Sequence, residues 1–227
     1  MGLNFDSILI VTYGRSGSTL LQGILNSVDG VLIRGENFNF IEGLYESYRR
    51  LVDSKEKYAP REEIPQEPWY GASLVDFDLF FDHCRKLVKD VLLEQCDDYA
   101  GVRCYGFKEI RYLRVKDLEG YLDFLMKIFP NPAFVINTRE LDEVVKSGWW
   151  VNHDPNVVKS EILNFEKRIL QYSEKIKNIF YNITYSDVVN KKEKLQGLFD
   201  FIGAEYVEAE IDKVLSLPHS YTLNTSS

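Results

Sequence analysis

The sequence predicts an α/β protein of three layers, in which a central, mostly parallel sheet carries helices on both faces. Short apolar runs that suit buried strands alternate along the chain with segments whose apolar residues recur at helical spacing. The 227 residues are enough to bury a sizeable core, and no linker-like composition interrupts them. We therefore expect one domain over residues 1–227.

The first element is a strand that breaks into a turn and then into a helix. Residues 8–11 form an uninterrupted aliphatic run, typical of a strand buried on both faces of a parallel sheet. Gly14 and Gly17 allow the backbone to turn tightly, and Ser18 opens the helical pattern. The apolar positions of that helix are Leu20, Leu21, Ile24, Leu25 and Val28.

The start of this helix predicts a binding site for an anion. Its unpaired N–H groups and the positive end of its dipole point at the space above the strand. In the nucleotide-triphosphate loop G-x-x-x-x-G-K-[ST], a glycine would replace Thr12 and a lysine would replace Ser18, so ATP or GTP is disfavoured. What remains is a P-loop-like cradle for phosphate or sulfate, with Arg15 as the cation and Ser16, Ser18 and Thr19 as hydroxyl donors.

The second predicted strand ends near this loop. Residues 31–33 form the strand and residues 34–37 the turn at its carboxyl end, where open α/β sheets collect their active-site residues. Glu36 lies in this turn, and a carboxylate close to an anion site can accept the proton of an attacking alcohol. A carboxylate that simply favours the start of the helix over residues 40–51 is the structural alternative.

Residues 53–75 change character and predict a loop, which is a candidate substrate lid. Charged residues come first, followed by several prolines and then by Trp69 and Tyr70. These aromatic side chains suit stacking on a sugar or another flat acceptor, and they equally suit fixing the loop to the protein body. A helix with a wide apolar face follows. Its predicted core residues are Phe80, Phe81, Cys84, Leu87, Val88, Val91 and Leu92.

Residues 102–112 predict a strand that ends in the polar pair Lys108 and Glu109. A lysine at a strand end suits the stabilisation of negative charge on a transferred group, although an ion pair with Glu36 or Glu109 is the alternative. A helix over residues 118–129 and another buried strand over residues 133–138 come next. Arg139 ends that strand, and a helical pattern over residues 139–147 leads to Ser147.

The last third of the chain predicts a further aromatic cluster and a final strand. Trp149 and Trp150 lie in a turn, and we expect one to line a cleft and the other to cover the core. A long amphipathic helix follows. The final strand ends at Tyr185, after which residues 195–203 form an apolar helix ending in glycine.

These motifs, in this order, resemble the sulfotransferase family, which uses 3′-phosphoadenosine 5′-phosphosulfate (PAPS) as donor. The resemblance implies that residues 14–19 bind the 5′-phosphosulfate and that Arg139 and Ser147 bind the 3′-phosphate. It also implies that Tyr185 touches the adenine ring. Arginine suits a phosphate because its planar donor group binds two oxygens at once. The matches cover most of the chain.

The sequence departs from the animal cytosolic branch of that family in two places. A lysine-threonine-histidine motif supplies the catalytic base there, whereas this chain has Lys108, Glu109 and Ile110. The base is therefore expected to be a glutamate, as in the carbohydrate-modifying and bacterial branches, with Glu36 as first choice and Glu109 as second. The late arginine-lysine-glycine loop is also missing from residues 217–224, where His219, Ser220 and Tyr221 are possible substitutes.

Composition excludes several other classes of function. The formal net charge of -8 and the pI near 5.0 disfavour general binding to nucleic acid or to an anionic membrane. No apolar segment approaches the ~20 residues of a membrane span, and none suits a signal peptide, so we expect a cytoplasmic protein. Cys84, Cys96 and Cys104 have neither disulfide-framework nor zinc spacing, and the three histidines are scattered, so no metal is expected.

The sequence therefore predicts a sulfotransferase that moves a sulfuryl group from PAPS to a hydroxyl, or less readily an amine, of a small-molecule or carbohydrate acceptor. Glu36 would be the base, with Arg15 and Lys108 stabilising charge. A nucleotide-dependent kinase is one alternative, which the missing loop lysine disfavours. A non-catalytic nucleotide-binding module is the other, which the presence of both Arg15 and Arg139 disfavours.

Overall fold

A computed structural model describes residues 2–61, 64–93 and 101–217. Five strands lie in this part of the chain: β1 (Ser7–Val11), β2 (Val31–Arg34), β3 (Cys104–Glu109), β4 (Pro132–Thr138) and β5 (Phe180–Thr184). They form one sheet in the order β2-β3-β1-β4-β5, and every neighbouring pair is parallel. The predicted parallel α/β architecture is confirmed.

Helices cover both faces of the sheet. They are α1 (Ser18–Leu25), α2 (Phe40–Asp53), α3 (Phe77–Leu93), α4 (Leu118–Ile128), α5 (Leu141–Val144), α6 (Pro155–Ser173), α7 (Tyr185–Val189), α8 (Glu193–Ile202) and α9 (Glu208–Ser216). Buried side chains of α2 to α6 share one apolar cluster, and those of α1, α7, α8 and α9 share another. The sheet separates these two clusters, as the three-layer prediction requires.

Strand β1 is the centre of this arrangement because it contributes to both clusters. Successive side chains of a strand point to opposite faces. Leu9 and Val11 accordingly pack in the first cluster, and Ile8 and Ile10 pack in the second. All four are essentially inaccessible to solvent, and each contributes roughly 1.5–3 kcal/mol relative to an exposed position. This explains why the sequence of β1 is aliphatic at every position rather than alternating.

The register of the sheet brings the ends of the three central strands together. Val11, the last residue of β1, lies opposite Glu109 of β3 and Ile136 of β4. Because the strands are parallel, the segments that follow them leave from the same edge of the sheet. The sequence signals after β1, β3 and β4 therefore converge at one place.

The predicted loop over residues 53–75 is partly wrong, because α2 continues into a helical turn at Ser54–Tyr58. Contacts with the end of the segment hold this turn in place. Lys55 Nζ donates to the carbonyl oxygen of Val75 at 2.7 Å, and the rings of Tyr58 and Trp69 stack with centroids 4.6 Å apart. Residues 62–63 lie outside the described ranges, and a lid function for the segment stays a prediction.

The predicted core face of α3 is too wide. Leu87 and Val91 are 44% and 53% exposed, whereas Phe81, Cys84 and Val88 are buried as predicted. The helix contacts α4 and β3 along one narrow stripe, and the predicted set extended beyond it. Cys104 is also a buried free thiol, as expected. Cys96 lies outside the described residues.

Two features are absent from the residues that the structure describes. No helix among them is long and apolar enough to cross a membrane. No group of three or more His, Cys, Asp and Glu side chains within the same ranges is arranged to hold a metal ion.

Gly106 allows β3 to lie against β1, and we expect Gly106→Ala to be strongly destabilising. A Cβ at this position would lie 1.7 Å from the backbone oxygen of Ile8, and a backbone atom of a central strand cannot move aside easily. We expect the free energy of unfolding in urea to fall by about 3 kcal/mol. Gly43→Ala in α2 is the control, since nothing lies within 4 Å of its added Cβ. It should stabilise by roughly 0.5–1 kcal/mol, and equal effects of both variants would contradict this account.

Candidate active site

A cleft of about 350 Å³ opens at the carboxyl edge of the sheet, which is within the range of small-molecule sites. The predicted site residues that line it are Gly14, Arg15, Gly17, Ser18, Thr19, Glu36, Lys108, Arg139 and Tyr185. Ser16, Glu109 and Ser147 are not among its lining residues, and their positions are described below. Segments from four separate parts of the chain thus meet where the sequence placed an anion site.

The loop after β1 is held in a fixed curve. Arg15 and Gly17 have φ angles of 72° and 83°, in the left-handed region, which costs a non-glycine residue roughly 1–2 kcal/mol. Trp150 Nε1 donates to the carbonyl oxygen of Gly14 at 3.0 Å, and Arg139 Nη1 donates to that of Arg15 at 3.4 Å. No side chain caps the N-terminus of α1, so its first N–H groups are available for an anion at the loop.

The side chain of Ser16 does not belong to the cradle. Its hydroxyl is buried 2.7 Å from the hydroxyl of Thr12, which lies 2.6 Å from the carbonyl oxygen of Asn137. Since Thr12 has one proton, it donates to Asn137, and Ser16 donates to Thr12. These two hydroxyls therefore join the loop to β4. Ser18 and Thr19 are the hydroxyl residues that line the cleft.

Two aromatic rings lie directly against the loop glycines. A Cβ on Gly14 would come within 2.3 Å of the Trp149 ring, and a Cβ on Gly17 within 2.2 Å of the Tyr185 ring. Tyr185 also stacks on the guanidinium of Arg139, 4.3 Å from its ring centroid. Trp149 lines the cleft and Trp150 packs against the core, so the predicted division between the two tryptophans is confirmed.

Arg139 and Ser147 approach the loop, although not on one helix. The helix in this segment spans only Leu141–Val144, because Ser147 is extended and Gly148 has a φ of 60°. The predicted helical pattern over residues 139–147 is wrong in that respect. The turn places Ser147 Oγ 2.9 Å from Arg15 Nε, which donates to it. Arg139 is held by Glu143 through an ion pair of 2.8 Å.

Glu36 and Lys108 form an ion pair at the opposite side of the cleft. Lys108 Nζ lies 2.7 Å from Glu36 Oε1, and Arg111 Nη1 lies 3.3 Å from Glu36 Oε2. The Lys108 side chain is only 5% exposed, whereas that of Glu36 is 35% exposed. The lysine therefore holds its charge inside the protein, and the carboxylate faces the cleft.

Residues 7–208 match the sequence model of the sulfotransferase family. The chain belongs to the sulfotransferase family. Members of this family transfer sulfuryl groups, generally from PAPS, so the protein is a transferase of this kind. No curated protein sequence matches it significantly.

Solved structures of bacterial sulfotransferases share the fold. The sulfotransferase domain of the Synechococcus PCC 7002 olefin synthase is 18% identical with a TM-score of 0.61, covering 98% of this chain and 84% of its own. Sulfotransferase STF9 from Mycobacterium avium is 11% identical with a TM-score of 0.46, covering 93% and 67%. The Alicyclobacillus acidocaldarius sulfotransferase is 16% identical with a TM-score of 0.44, covering 95% and 87%.

The carboxylate of Glu109 is fully buried in this sulfotransferase and contacts five donors. These are the backbone N–H groups of Asn37, Asn39, Ile110 and Arg111, at 3.3, 2.8, 2.8 and 3.1 Å, and the Arg111 guanidinium at 2.9 Å. The oxygens of Glu109 are thus occupied and do not face the cleft. Glu109 ties the end of β3 to the turn after β2, which carries Glu36.

Tyr13 is a site residue that the sequence did not reveal. Its fully buried hydroxyl accepts from the backbone N–H of Arg139 at 2.9 Å and donates to Glu166 Oε1 of α6 at 2.7 Å. Burial, followed by the charge of Glu166, raises the pKa of Tyr13, so the phenol keeps its proton. Burial also raises the pKa of Glu166. Tyr13 therefore fixes the position of Arg139 relative to the sulfotransferase loop.

We expect Glu109→Gln to destabilise the sulfotransferase by about 2 kcal/mol. The amide would place an NH₂ donor against backbone N–H donors that now bind a charged oxygen, and those groups would stay buried. Urea unfolding measures the change. Glu174→Gln is the matched control, because Glu174 forms an exposed ion pair with Lys177 and should shift stability by less than ~1 kcal/mol. A Glu109 variant as stable as this control would argue against the buried network.

Proposed function

We propose that the protein transfers a sulfuryl group from PAPS to a hydroxyl of a small-molecule or carbohydrate acceptor, with Glu36 as general base. The observation that carries this proposal is the placement of Glu36 and Lys108 across one cleft from the anion loop and Arg139. A proton acceptor and two sets of anion-binding groups are the components that such a transfer needs.

The donor would lie across the loop that follows β1. In this arrangement the N–H groups at the start of α1, Ser18, Thr19 and Arg15 bind the 5′-phosphosulfate, and Arg139 binds the 3′-phosphate. Tyr185, which is already stacked on Arg139, offers its ring to the adenine. Ser147 accepts from Arg15 and retains its own proton for a phosphate oxygen, so it can orient Arg15 and bind the donor together.

In the reaction, the acceptor oxygen attacks sulfur in line as the bond between sulfur and the 5′-phosphate oxygen breaks. The acceptor proton passes to Glu36, and the products are a sulfate ester and adenosine 3′,5′-bisphosphate. Arg15 and the loop N–H groups meet the charge that grows on the leaving phosphate. When Glu36 becomes neutral, the buried charge of Lys108 loses its partner and can stabilise the transferred group.

Glu36 rather than Glu109 is the proposed base because only Glu36 lines the cleft. Glu109 is proposed to act as a positioning residue, through the backbone N–H groups of the turn that carries Glu36. The acceptor itself is not defined by Trp69 and Tyr70, since neither lines this cleft.

We expect Glu36→Gln to lower turnover by roughly 10²–10⁴-fold, because the amide cannot accept the acceptor proton. Affinity for adenosine 3′,5′-bisphosphate should stay within about twofold of the unaltered protein, as this product carries no acceptor. Transfer of labelled sulfate from PAPS to a panel of alcohols measures the first quantity, and calorimetry measures the second. Glu46→Gln, on the exposed face of α2, is the control. Unchanged turnover in Glu36→Gln would remove Glu36 from the proposed mechanism.

The donor is tested by thermal shift with adenosine 3′,5′-bisphosphate beside ATP with magnesium. A ligand that binds only the folded protein stabilises it by ~2.7 kcal/mol at a hundredfold excess over its Kd. We expect stabilisation by the bisphosphate alone and its loss in Arg139→Ala. Arg103→Ala, an exposed residue paired with Asp29, should keep the full shift. A larger shift with ATP and magnesium would favour a kinase, and no shift with either would favour a module without this donor site.

A further inference from the structure

Phe38 occupies an unusual position beside the proposed base. It lies two residues after Glu36 and is 79% exposed, the largest exposed fraction among the large hydrophobic residues described. Its φ angle is 60°, and that of the following Asn39 is 56°. Two successive non-glycine residues in the left-handed region are costly, and such conformations concentrate at functional sites.

Buried contacts impose this conformation. The carboxylate of Glu109 accepts from the backbone N–H groups of Asn37 and Asn39 on either side of Phe38. Tyr121, which is fully buried, donates to Asn39 Oδ1 at 2.8 Å. The backbone is thus anchored before and after Phe38, and the ring has to project outward. Anchoring an apolar ring in water by a network of buried polar groups gives no folding benefit that the structure shows.

The ring of Phe38 is supported from one side only. The guanidinium of Arg111 lies 4.3 Å from its centroid, and the same guanidinium contacts Glu36 at 3.3 Å and Glu109 at 2.9 Å. Phe38 is therefore joined to the proposed base through a single side chain. With Arg111 against one face, the exposure of the residue leaves the other face accessible.

The surroundings of the ring favour an apolar partner. Arg111 is engaged by both carboxylates and by the ring, and the Asn39 side chain is engaged by Tyr121 and by Glu42. Ile110 adds an apolar side chain to the nearby cleft wall. A sugar needs hydrogen-bond partners for several hydroxyls, whereas a flat aromatic group needs a ring face, and offset stacking of two rings adds to the area they bury.

We propose that Phe38 is the acceptor-binding platform of this protein and that its acceptors carry an aromatic ring next to the hydroxyl that is sulfated. This inference rests on the proposed function and narrows its acceptor to one chemical class. Phe38 selects the acceptor by stacking on its ring, which brings the neighbouring hydroxyl towards Glu36.

Saturation-transfer NMR on the protein loaded with adenosine 3′,5′-bisphosphate tests the proposal with three probes. Benzyl alcohol carries the predicted group, cyclohexylmethanol has the same size without aromaticity, and methyl glucoside represents a sugar. We expect benzyl alcohol to bind most tightly, its affinity to fall about tenfold in Phe38→Ala, and Phe38→Tyr to restore it. Leu74→Ala, a comparably exposed residue away from the cleft, should change nothing.

Absence of benzyl alcohol binding, equal binding of cyclohexylmethanol or methyl glucoside, or an unchanged affinity in Phe38→Ala would each overturn the proposal. Calorimetry with the bisphosphate is run on every variant and separates this result from the proposed function. Failure of the unaltered protein to bind the bisphosphate contradicts the donor site itself. Intact bisphosphate binding also shows that each Phe38 variant is folded, so a loss of benzyl alcohol affinity then reports on the acceptor platform.

Discussion

The parallel pairing of β1 with both β3 and β4 is the constraint on which the rest of the site depends. It brings the anion loop between the chain segments that carry Lys108 and Arg139, because the three strands end level with one another. The aliphatic sequence of β1 is what permits this central position, since both of its faces are buried. A single register thus determines which charges face the loop and from which side.

Most of the charge in the cleft is balanced before any ligand arrives. Lys108 is paired with Glu36, and Arg139 with Glu143, in a chain whose net charge is -8. A buried cation without a partner would be strongly disfavoured, so these pairs keep the positive groups in place in the empty protein. An arriving anion then exchanges partners with groups that are already oriented, which lowers the ordering needed on binding.

Local patterns in the sequence were sufficient for the fold and for much of the site. The aliphatic run of β1, the two loop glycines and the strand-ending Arg139 each carry their signal within a few residues. Contacts between distant residues were not accessible in this way: Tyr13 and Glu166 are 153 positions apart, and a buried tyrosine before a loop has the sequence signal of any core residue. The five donors around Glu109 were likewise invisible, so it was ranked as a possible base. The width of the α3 core face failed for a related reason, because helical periodicity does not say how much of a helix its neighbours cover.

The contacts of Trp149 with Gly14 and of Tyr185 with Gly17 give the loop glycines a meaning beyond backbone freedom. Each glycine leaves the volume that a ring from a distant segment fills, since an added Cβ would overlap it. Positions 14 and 149 are therefore coupled, as are positions 17 and 185, although more than a hundred residues separate the members of each pair. A change to a larger residue in the loop is compatible with this packing only together with a smaller side chain at its distant partner, and the two halves of the cleft must vary together.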